Sequence, residues 1–548
     1  MGTSVPDTRS AGSRDTGNRS TGARDTGSRN TDTRSAGTRN REAALAVLCL
    51  SVLIVTVDNT ILNVALPSLV RDLGATNSQL QWIVDSYALV LAGLMLVTGS
   101  IADRVGRRRV FLTGLVTFAG ASACAAYCDS VTTLVAARAA MGVGAALIMP
   151  ATLSLITNLF PEQDRRRRAY GIWAAMSGLG IAIGPISGGV LLDHFWWGSV
   201  FLVNLPIAAI GLVGALCWVQ DSQDPQARRP DPVGSLSSIV GLALLLWAII
   251  EAPNRGWTAV PVLAAGLVSL LVLAAFALWE RRVEDPMLDL AAFGRRSYSG
   301  AVVCVGLGVF GLFGALFVLT QFLQFNLGYT PTQAGVRILP VALVLAVVAP
   351  LSNVVVPKAG VAVTMACGLL AVAVGLALLS RTTTGSSYGD ALPGMLLLGF
   401  GAGLLMPTGI GSAMASIAPE RAGVASASVG VSVQTGGALG VAVIGSLLST
   451  RYQDRMTQAL APHHLPDKIT DTVLGSVGSA LQVAQHVGEP AASALRTAAR
   501  SAFVSGLGIG FAAAAAVAAC SALVALTWLP HTPQTPLAPR PAPEPRPV

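Results

Sequence analysis

The chain has 548 residues, of which 53% are hydrophobic and only 12% are charged, and its mean hydropathy is +0.63. Soluble domains carry about 25% charged residues, so this composition excludes an ordinary globular protein and indicates a polytopic membrane protein. The apolar runs are long and do not alternate, which favours helices as the spanning elements. The net charge of +8 lies in tails and loops, which argues against a nucleic-acid surface.

The positions of the cysteines indicate side chains that pack in the interior rather than disulfides or metal ligands. The seven cysteines lie in or at the ends of apolar runs, and no two of them form a CxxC pair. This pattern predicts small core residues, not disulfides or metal ligands, so no metal site is expected.

The first 42 residues form a polar repeat in which arginine returns at every fifth position. Such a segment cannot bury enough apolar surface to fold, so a disordered cytoplasmic tail is expected. Its arginines either contact anionic lipid or only help to set the topology. The Pro-rich residues 530–548 are expected to be disordered too. The repeated arginines are Arg9, Arg14, Arg19, Arg24, Arg29, Arg34 and Arg39.

Fourteen apolar segments follow, each close to the ~20 residues that a helix needs to cross a bilayer. Six of them, within 43–219, are expected to form an N-terminal bundle, and six, within 298–529, a C-terminal bundle. The pair within 233–280 lies between the two. The predicted spans are 43–67, 80–100, 110–128, 133–159, 170–193, 198–219, 233–251, 259–280, 298–326, 335–356, 359–380, 391–416, 423–449 and 501–529.

Loop charges predict the orientation. Basic residues are far more frequent in the loops on one side, and the positive-inside rule places that side in the cytoplasm together with both termini. An even number of spans also requires both termini on one side. The basic residues on the predicted inner side are Arg104, Arg107, Arg108, Arg109, Arg165 to Arg168, Arg228, Arg229, Arg281, Arg282, Arg295, Arg296, Lys358 and Arg421, against Arg71, Arg255 and Arg381 outside.

One predicted outer loop, 451–500, is long. Its segment 469–487 carries apolar residues at helical spacing, among them Ile469, Val473 and Val477. Two interpretations stay open from the sequence, an amphipathic helix on the outer surface or a weakly ordered connector.

Three charged residues lie inside predicted spans, namely Asp58, Asp85 and Arg138. At a helical rise of ~1.5 Å per residue they lie about 8 to 13 Å from the outer ends of their spans, on three different helices. A charge at such depth needs a partner or a water-filled cavity and is a functional-site hypothesis by default. Either acid can pair with Arg138, which leaves the other acid available to a proton. Burial favours a neutral carboxyl and a neighbouring guanidinium favours the carboxylate, so the trio predicts a proton-coupling site; a static ion pair is the alternative.

Polar side chains within the spans predict a substrate cavity, although interhelical hydrogen bonding explains each of them singly. Thr56, Asn59, Thr60 and Asn63 share one broad face of the first span, and Gln81 lies one turn from Asp85. The predicted cavity residues are Asn59, Asn63, Gln81, Tyr87, Gln321, Gln324 and Gln434.

Two glycine-containing motifs complete the pattern. The loop Gly99-Ser-Ile-Ala-Asp-Arg-Val-Gly-Arg-Arg-Arg109 joins the second and third spans, and its ordered Gly and Asp exceed what a topogenic arginine cluster needs. In the fifth span Gly180, Gly184 and Gly188 recur every four residues, with Pro185 and Gly189 beside them. That spacing predicts a smooth helix face that another backbone approaches closely.

An internal repeat indicates two related halves. The segment 142–150, Gly-Val-Gly-Ala-Ala-Leu-Ile-Met-Pro, closely matches 399–407, Gly-Phe-Gly-Ala-Gly-Leu-Leu-Met-Pro, 257 positions later. The two copies fall in the fourth and twelfth spans, so they are eight spans apart where two six-helix halves would place them six apart. Transporters are built from such repeats, and the pair within 233–280 is predicted to be an insertion between the halves.

Together these motifs resemble the major facilitator superfamily, in particular its fourteen-span drug:proton antiporters (the DHA2 family) and, among them, the QacA-like quaternary-ammonium and dye exporters. The resemblance covers about 43–450 and implies the major facilitator fold, an all-α membrane protein of two six-helix bundles plus two inserted helices. It rests on Asp58-Asn-Thr-Ile-Leu-Asn-Val-Ala-Leu-Pro67, Gln81-Trp-Ile-Val-Asp-Ser-Tyr87, the 99–109 loop, Arg138 with Gly142 and Gly144, Gly180 to Gly189, Trp196-Trp-Gly-Ser-Val-Phe-Leu-Val-Asn-Leu-Pro206 and Gln324 to Tyr329.

The resemblance also implies roles. Asp58 and Arg138 would take part in proton coupling, and Asp85 would receive protons or cationic drugs. The cytoplasmic gate would consist of Gly99, Asp103, Arg104, Gly106, Arg107 and Arg108, and the antiport bend would lie at Gly184-Pro185. Relatives that handle dications carry acids in C-terminal helices, whereas between Tyr298 and Ser449 this chain has only Asp390 and Glu420. Neutral or monocationic substrates are therefore favoured.

The resulting expectation is a monomeric transporter of the cell membrane, not an enzyme, that exports lipophilic drugs or antibiotics in exchange for protons by alternating access. Its partners would be the drug, protons and the bilayer, with no nucleic acid and no cofactor beyond the proton gradient. A metabolite importer of the same fold and a non-transporting membrane receptor are the alternatives. The exporter-type glycine helix counts against the importer, and the buried Asp58 counts against the receptor.

Overall fold

The computed structural model describes residues 27–223, 231–283, 290–417, 422–462 and 466–531; of residues 27–39, 96, 163, 167, 290–291 and 422–427 it describes the backbone only. Within these ranges every regular element is a helix, which confirms the all-α prediction. The helices are α1 Gly27–Leu73, α2 Asn77–Val105, α3 Arg107–Ala126, α4 Val131–Leu159, α5 Gln163–His194, α6 Ser199–Leu202, α7 Asn204–Trp218, α8 Pro232–Arg255, α9 Val260–Glu280, α10 Leu290–Phe293, α11 Arg296–Gln321 with a π-helical end Phe322–Asn326, α12 Pro331–Leu379, α13 Tyr388–Ala415, α14 Ala422–Leu460, α15 Asp467–Gly475, α16 Val477–His486 and α17 Ala491–Trp528.

Many of these helices are long enough to cross a membrane. Among the described residues twelve qualify by length and composition, and α2 makes a thirteenth if its two arms, which meet at 55°, form one span. The 49-residue α12 contains a break at Gly360, whose φ of 81° is not helical, so two helices meet there. The protein is a multi-pass membrane protein, and the count of fourteen spans stays a prediction.

The internal repeat is visible in the packing. Gly142 on α4 lies against the carbonyl oxygen of Tyr87 on α2, and its counterpart Gly399 on α13 lies against that of Val341 on the first part of α12. Gly144 and Gly401 approach α3 and the second part of α12 in the same way. The same capping box also opens α2 and α12: Thr76 and Gln79 bond each other's backbone N–H, as do Thr330 and Gln333.

The helices form two bundles that face each other. Helices α1 to α7 form one bundle, and α11 to α14 with α17 form the other. Across the boundary α2 packs on α14, α5 on α12, and α1 on α11. The inserted α8 packs on both α2 and α14, and α9 packs on α8. The end of the molecule with the α1–α2 turn is called the Gly74 end here, and the end with the α2–α3 turn the Gly106 end.

The two bundles touch firmly at the Gly74 end. There the Asp193 carboxylate at the end of α5 accepts hydrogen bonds from Thr330 Oγ1 at 3.2 Å and Thr332 N at 3.3 Å. The Gln324 Nε2 of the π-helical segment donates to Val64 O of α1 at 3.0 Å. Further toward the Gly106 end, an added Cβ at Gly178 or Gly171 of α5 would meet nothing within 4 Å.

The segment between α14 and α17 is more ordered than a connector. Helix α14 continues to Leu460, α17 already begins at Ala491, and α15 and α16 lie between them. The buried Tyr452 hydroxyl donates to Val473 O at 2.8 Å, and Gln482 Nε2 donates to Arg71 O of α1. Of the two open interpretations the helical one is correct. The helices pack on the rest of the protein, and the Tyr452 hydroxyl is hydrogen-bonded to the backbone of this segment.

The expectations for the two tails and for the cysteines are only partly met within the described residues. Helix α1 begins at Gly27, so the backbone over 27–42 is helical where disorder was expected; extending a formed helix costs far less than nucleating one. Residues 1–26 and 532–548 lie outside the described part. Of the cysteines, Cys49 and Cys304 are buried as predicted, but four lie on exposed helix surfaces, since apolar sequence does not separate core from lipid-facing positions. Those four are Cys124, Cys217, Cys367 and Cys520.

Candidate functional site

The centre of the N-terminal bundle is an ion pair between Asp58 on α1 and Arg138 on α4. Arg138 Nη1 donates to Asp58 Oδ2 at 2.5 Å; the Asp58 side chain is 0% exposed and that of Arg138 is 1% exposed. Arg138 Nε also donates to Ile83 O of α2 at 3.2 Å. Of the two pairings that the sequence left open, the structure selects Asp58 with Arg138. A charge-assisted hydrogen bond of this kind is about twice as strong as a neutral one.

Two further side chains surround the guanidinium. The Tyr87 ring of α2 lies beneath it, with Arg138 Cζ 4.3 Å from the ring centroid. Met141 Sδ, one turn along α4, lies 3.9 Å from Nη1. A cation over an aromatic face is attracted by the ring quadrupole, by about 2 kcal/mol or more where both are desolvated. Tyr87 was predicted to line the substrate cavity; the structure places it in the ion-pair site, where its ring covers one face of the guanidinium.

Asn204 completes the site, and no role was assigned to it from the sequence. Its Nδ2 donates to Asp58 Oδ1 at 2.9 Å and lies 3.0 Å from Ser122 Oγ. Ser122 Oγ in turn donates to Phe201 O at 2.8 Å. The residue begins α7 within the segment Trp196 to Pro206, whose likeness to the exporters was the only available signal. The site therefore connects α1, α4 and α7 through Asp58, and α3 through Asn204.

The second acid, Asp85 on α2, has no such partners. Its side chain is 0% exposed, and neither carboxyl oxygen has a hydrogen bond among the described residues. Gln81, one turn earlier, lies against Gly445 of α14, and Leu89, one turn later, belongs to a buried apolar cluster to which α2, α8 and α14 all contribute. Residues four apart share one side of a helix, so Asp85 lies where the N-terminal bundle meets the C-terminal bundle.

A pocket lies between the two bundles. Its walls are mostly apolar and come from α1, α5, α11 and α12. Thr60 and Asn63 of α1 and Thr320 of α11 supply the polar groups, while Ile181 and Ala342 are among the apolar ones. Of the predicted cavity residues, Asn63 is the one that lines this pocket.

The other predicted cavity residues lie elsewhere. Asn59 is half-buried and contributes its backbone carbonyl to Asn63, and Gln81 is buried between α2 and α14. Gln321 Nε2 donates to Phe317 O of its own helix, and Gln324 Nε2 donates to Val64 O across the bundle boundary. Gln434 is half-buried on α14 and does not line the pocket.

The glycine face of α5 packs against α1, as its spacing suggested. A Cβ at Gly180 would meet Thr56 Oγ1, one at Gly184 would meet Thr60 Oγ1, and one at Gly188 would meet Ile61. Thr60 Oγ1 also reaches Gly180 O at 3.2 Å. On the other side of α5, Pro185 lies against Gly335 and Gly189 against Thr332, both on α12.

The predicted gate lies at the Gly106 end and makes contacts within its own bundle. Asp103 accepts from Arg107 Nε at 2.7 Å, and Gly106 turns the chain with a φ of 121° that favours glycine. Arg108 Nη2 donates to Leu216 O at 2.7 Å, and Arg109 pairs with Asp221 at 3.2 Å. Asp221, which the sequence did not single out, also accepts from the Arg108 backbone N–H. Of the remaining gate residues, Gly99 faces Pro150 across the helices and Arg104 lies in the last turn of α2.

Comparisons with known proteins agree with this architecture. Residues 48–441 match the Major Facilitator Superfamily. The multidrug efflux pump LfrA of Mycolicibacterium smegmatis is 37% identical over 85% of this chain and 91% of its own length. The multidrug resistance protein Stp of Mycobacterium tuberculosis is 36% identical over 78% and 79%, and the puromycin resistance protein pur8 of Streptomyces alboniger is 38% identical over 74% and 81%.

Solved structures show the same fold at low identity. A bacterial homologue of the lysosomal transporter Spinster, in an inward-facing and unoccupied conformation, superposes with a TM-score of 0.59 at 17% identity, covering 89% of this chain and 98% of its own. A POT family transporter in complex with a thioalcohol-conjugated peptide gives a TM-score of 0.60 at 15% identity, with 89% and 95% covered. The match over most of the chain, the two packed bundles and the buried Asp58–Arg138 pair lead to one conclusion: the chain belongs to the major facilitator superfamily.

Proposed function

We propose that the protein is a proton-coupled exporter of lipophilic compounds that works by alternating access in the cell membrane, as a monomer with both termini in the cytoplasm. The relatives named for multidrug efflux, multidrug resistance and puromycin resistance support export of such compounds. The excess of basic residues at the Gly106 end supports that end as the cytoplasmic one. The conformation described is then closed to the outside.

The observation that carries proton coupling is the isolated Asp85 carboxyl at the α2–α14 contact. An ionised carboxylate without a hydrogen bond is far costlier to bury than a neutral carboxylic acid. The closed contact therefore holds Asp85 in its protonated form, and loss of the proton favours separation of α2 from α14. Proton binding and bundle closure are coupled because one acid lies on the moving interface.

Asp58 has a different role in this mechanism. Both of its oxygens accept hydrogen bonds, one from Arg138 and one from Asn204, so its negative charge is already compensated. A rearrangement of α1 or α4 that separates Asp58 from Arg138 would leave both charges uncompensated. The ion pair therefore links the charge state of the site to the positions of these two helices.

The pocket and the sequence limit the substrate. The pocket walls carry hydroxyl and amide groups but no acid. In the second half Asp390 caps the start of α13 by accepting from Ser387 N at 2.7 Å, and Glu420 lies outside the described residues. Neutral or singly charged lipophilic compounds therefore fit the site better than dications.

Transport by the purified protein in liposomes tests the proposal. A proton gradient is imposed across the liposome membrane so that the face of the protein that is extracellular in the cell meets the acidic compartment. A lipophilic dye should then accumulate in that acidic compartment, because protons and dye move in opposite directions. A protonophore should abolish that accumulation. Gradient-independent accumulation, or none with any of a panel of lipophilic dyes, would contradict the proposal.

A further inference from the structure

Helix α2 carries a row of buried polar side chains that ends at Asp85. Asn77, Gln81 and Asp85 follow one another at steps of four and so share one side of the helix. Asn77 is 4% exposed, Gln81 is 1% exposed and Asp85 is 0% exposed. From Asn77 to Asp85 the helix rises by about 12 Å. These three side chains, called the polar row here, therefore lead from the first turn of α2, at the Gly74 end, to the buried acid.

The polar row has unused hydrogen-bonding capacity. Asn77 Nδ2, both amide atoms of Gln81 and both carboxyl oxygens of Asp85 have no hydrogen-bond partner among the described residues. Buried polar atoms in proteins are almost always hydrogen-bonded, and where the protein supplies no partner an ordered water does. The spacing along one helix side places these atoms in a line, so waters that satisfy them also lie in a line.

The facing side of α14 leaves room for these groups. Gly445, Ser449 and Gln453 are also four residues apart, and Ser449 is buried. The Gln81 amide lies directly over Gly445, in the space that a Cβ there would fill. Glycine at 445 is therefore what allows the middle of the polar row to fit between the two bundles.

The polar row begins at groups that meet the solution at the Gly74 end. The exposed Asn254 of α8 donates through Nδ2 to Ser78 Oγ of α2 at 2.9 Å. The Oδ1 of Asn254 accepts from Gln453 Nε2 of α14 at 3.0 Å. Side chains of three helices thus form a polar mouth beside Asn77.

Beyond Asp85 the polar character ends. Leu89, one turn further along α2, belongs to a buried apolar cluster with Ala438 of α14 and Leu246 of α8. Apolar walls give water no hydrogen-bond partners, and small apolar cavities in proteins stay dry. The polar row is therefore open toward the Gly74 end and closed toward the Gly106 end.

Helix α8 covers the flank of the polar row. Ser235 Oγ of α8 donates to Gly93 O of α2 at 3.0 Å, and Ser446 Oγ of α14 donates to Ile249 O of α8 at 2.8 Å. A helix that is hydrogen-bonded to both sides of the α2–α14 contact separates the row from lipid tails, which offer no hydrogen bonds.

The charged groups of the neighbouring helices are engaged elsewhere. Arg138 of α4 bonds Asp58 and Ile83 O. Glu251 of α8 pairs with Arg255, and Arg451 of α14 bonds Ser505 of α17. The other described charges of α1, α3, α8 and α14 lie near the ends of these helices. Among the described residues no other acid or base is therefore placed to give Asp85 its proton.

We propose that Asn77 and Gln81 hold a file of ordered waters between α2 and α14, through which Asp85 takes up its proton from the solution at the Gly74 end. The inference rests on the proposed function, which assigns proton coupling to Asp85 and the outer side to that end. Amides do not titrate, but they donate and accept hydrogen bonds and so align the waters along which a proton moves. Asp85 is then loaded from outside while the bundles stay in contact. The path is separate from the pocket, whose lining residues belong to neither α2 nor α14.

Proton uptake by the purified protein in lipid nanodiscs tests the path without any substrate. Equilibrium titration of the wild type against Asp85→Asn gives the pH range in which Asp85 binds its proton. A pH jump within that range, followed with an indicator dye in a stopped-flow instrument, then gives the rate. Gln81→Met removes the amide at similar side-chain length, and Gln81→Asn keeps an amide; each is measured with and without Asp85→Asn.

A second pair of variants perturbs the row from the facing helix. Gly445→Ala adds a Cβ where the Gln81 amide lies, and it replaces Gln81→Met if thermal unfolding shows that variant to be misfolded. Gly437→Ala is the matched control on the same helix, because its Cβ meets Phe313 at an ordinary 3.5 Å.

The path and a purely structural role of the row give different results. Gln81→Met and Gly445→Ala should bind the same Asp85 proton but about tenfold or more slowly, because the file of waters is interrupted. Gln81→Asn should exchange faster than Gln81→Met, and Gly437→Ala should match the wild type. Wild-type uptake rates in both Gln81→Met and Gly445→Ala would overturn the path. Equal proton uptake by the wild type and Asp85→Asn at every pH would instead contradict proton binding at Asp85, and with it the proposed coupling.

Discussion

Substitution of Asp58 by asparagine tests the ion pair at the centre of the N-terminal bundle. The change keeps the shape of the side chain but leaves the Arg138 guanidinium, which is 1% exposed, without its carboxylate. Removal of one partner from a buried pair costs about 3–5 kcal/mol, since an uncompensated charge stays buried. Tyr87 and the Ile83 carbonyl remain in place, so the lower end of this range is expected.

The measurement is the unfolding free energy of the purified protein in detergent, taken for the wild type, Asp58→Asn, Arg138→Met and the double variant. Each single variant should be destabilised, and the double variant should recover most of the loss because no charge is left unpaired. The resulting coupling energy should exceed about 1 kcal/mol. All three variants should lose proton-driven transport. An Asp58→Asn protein as stable as the wild type, with no coupling to Arg138→Met, would refute the pairing.

Four further substitutions test other parts of the structure. Asn204→Leu should lower the unfolding free energy by about 1–3 kcal/mol, since Asp58 Oδ1 loses its buried donor; unchanged thermal unfolding would remove Asn204 from the site. Gly144→Leu and Gly401→Leu lie at matching positions of the repeat, and each should lower the unfolding free energy by about 1–3 kcal/mol or more because the added atoms meet the backbone of Phe118 or Gly368. The control Gly120→Leu should not lower it. A Gly401→Leu protein as stable as the wild type would contradict the close approach. Tyr452→Phe should raise the rate of proteolytic cleavage within 460–490, since α15 loses its anchor; equal cleavage rates would show that the hydroxyl does not hold the segment.

Much of the architecture was accessible from the sequence because a bilayer imposes simple requirements. Apolar length predicts membrane-spanning helices, and the structure has twelve or thirteen candidates among its described residues. The repeat at Gly142 and Gly399 predicts two related halves, and the two glycines make matching helix contacts in the structure. Depth estimates placed Asp58, Asp85 and Arg138 at one level, because helical rise is regular.

What the sequence did not determine depends on contacts between distant segments. The choice of Asp58 over Asp85 as the partner of Arg138 depends on the relative rotation of α1, α2 and α4, which depth alone does not fix. Asn204 is 146 positions from Asp58, and nothing in the local pattern at the start of α7 links the two. The contact of α8 with both bundles was missed for the same reason, since its hydrogen-bonding residues Ser235 and Asn254 look like ordinary helix residues.

The same limit explains the cavity residues. A polar side chain within a span is predicted to face the protein interior or a cavity. In the structure, however, Gln324 donates to a backbone carbonyl across the bundle boundary and the Tyr87 ring lies against a guanidinium. Only the packed structure shows which polar groups are already occupied. Asn63 lines the pocket, and no feature of the sequence separated it from Asn59.

Proton release on substrate binding tests the central claim most directly. Purified wild-type protein in weakly buffered detergent solution, titrated with a lipophilic substrate and followed with a pH indicator, should release a proton as binding displaces it from Asp85. Asp85→Asn should stay folded and bind the substrate without releasing that proton, because asparagine keeps the neutral shape of the protonated carboxyl. Equal proton release from wild type and Asp85→Asn would contradict the assignment of Asp85 as the proton carrier at the bundle interface.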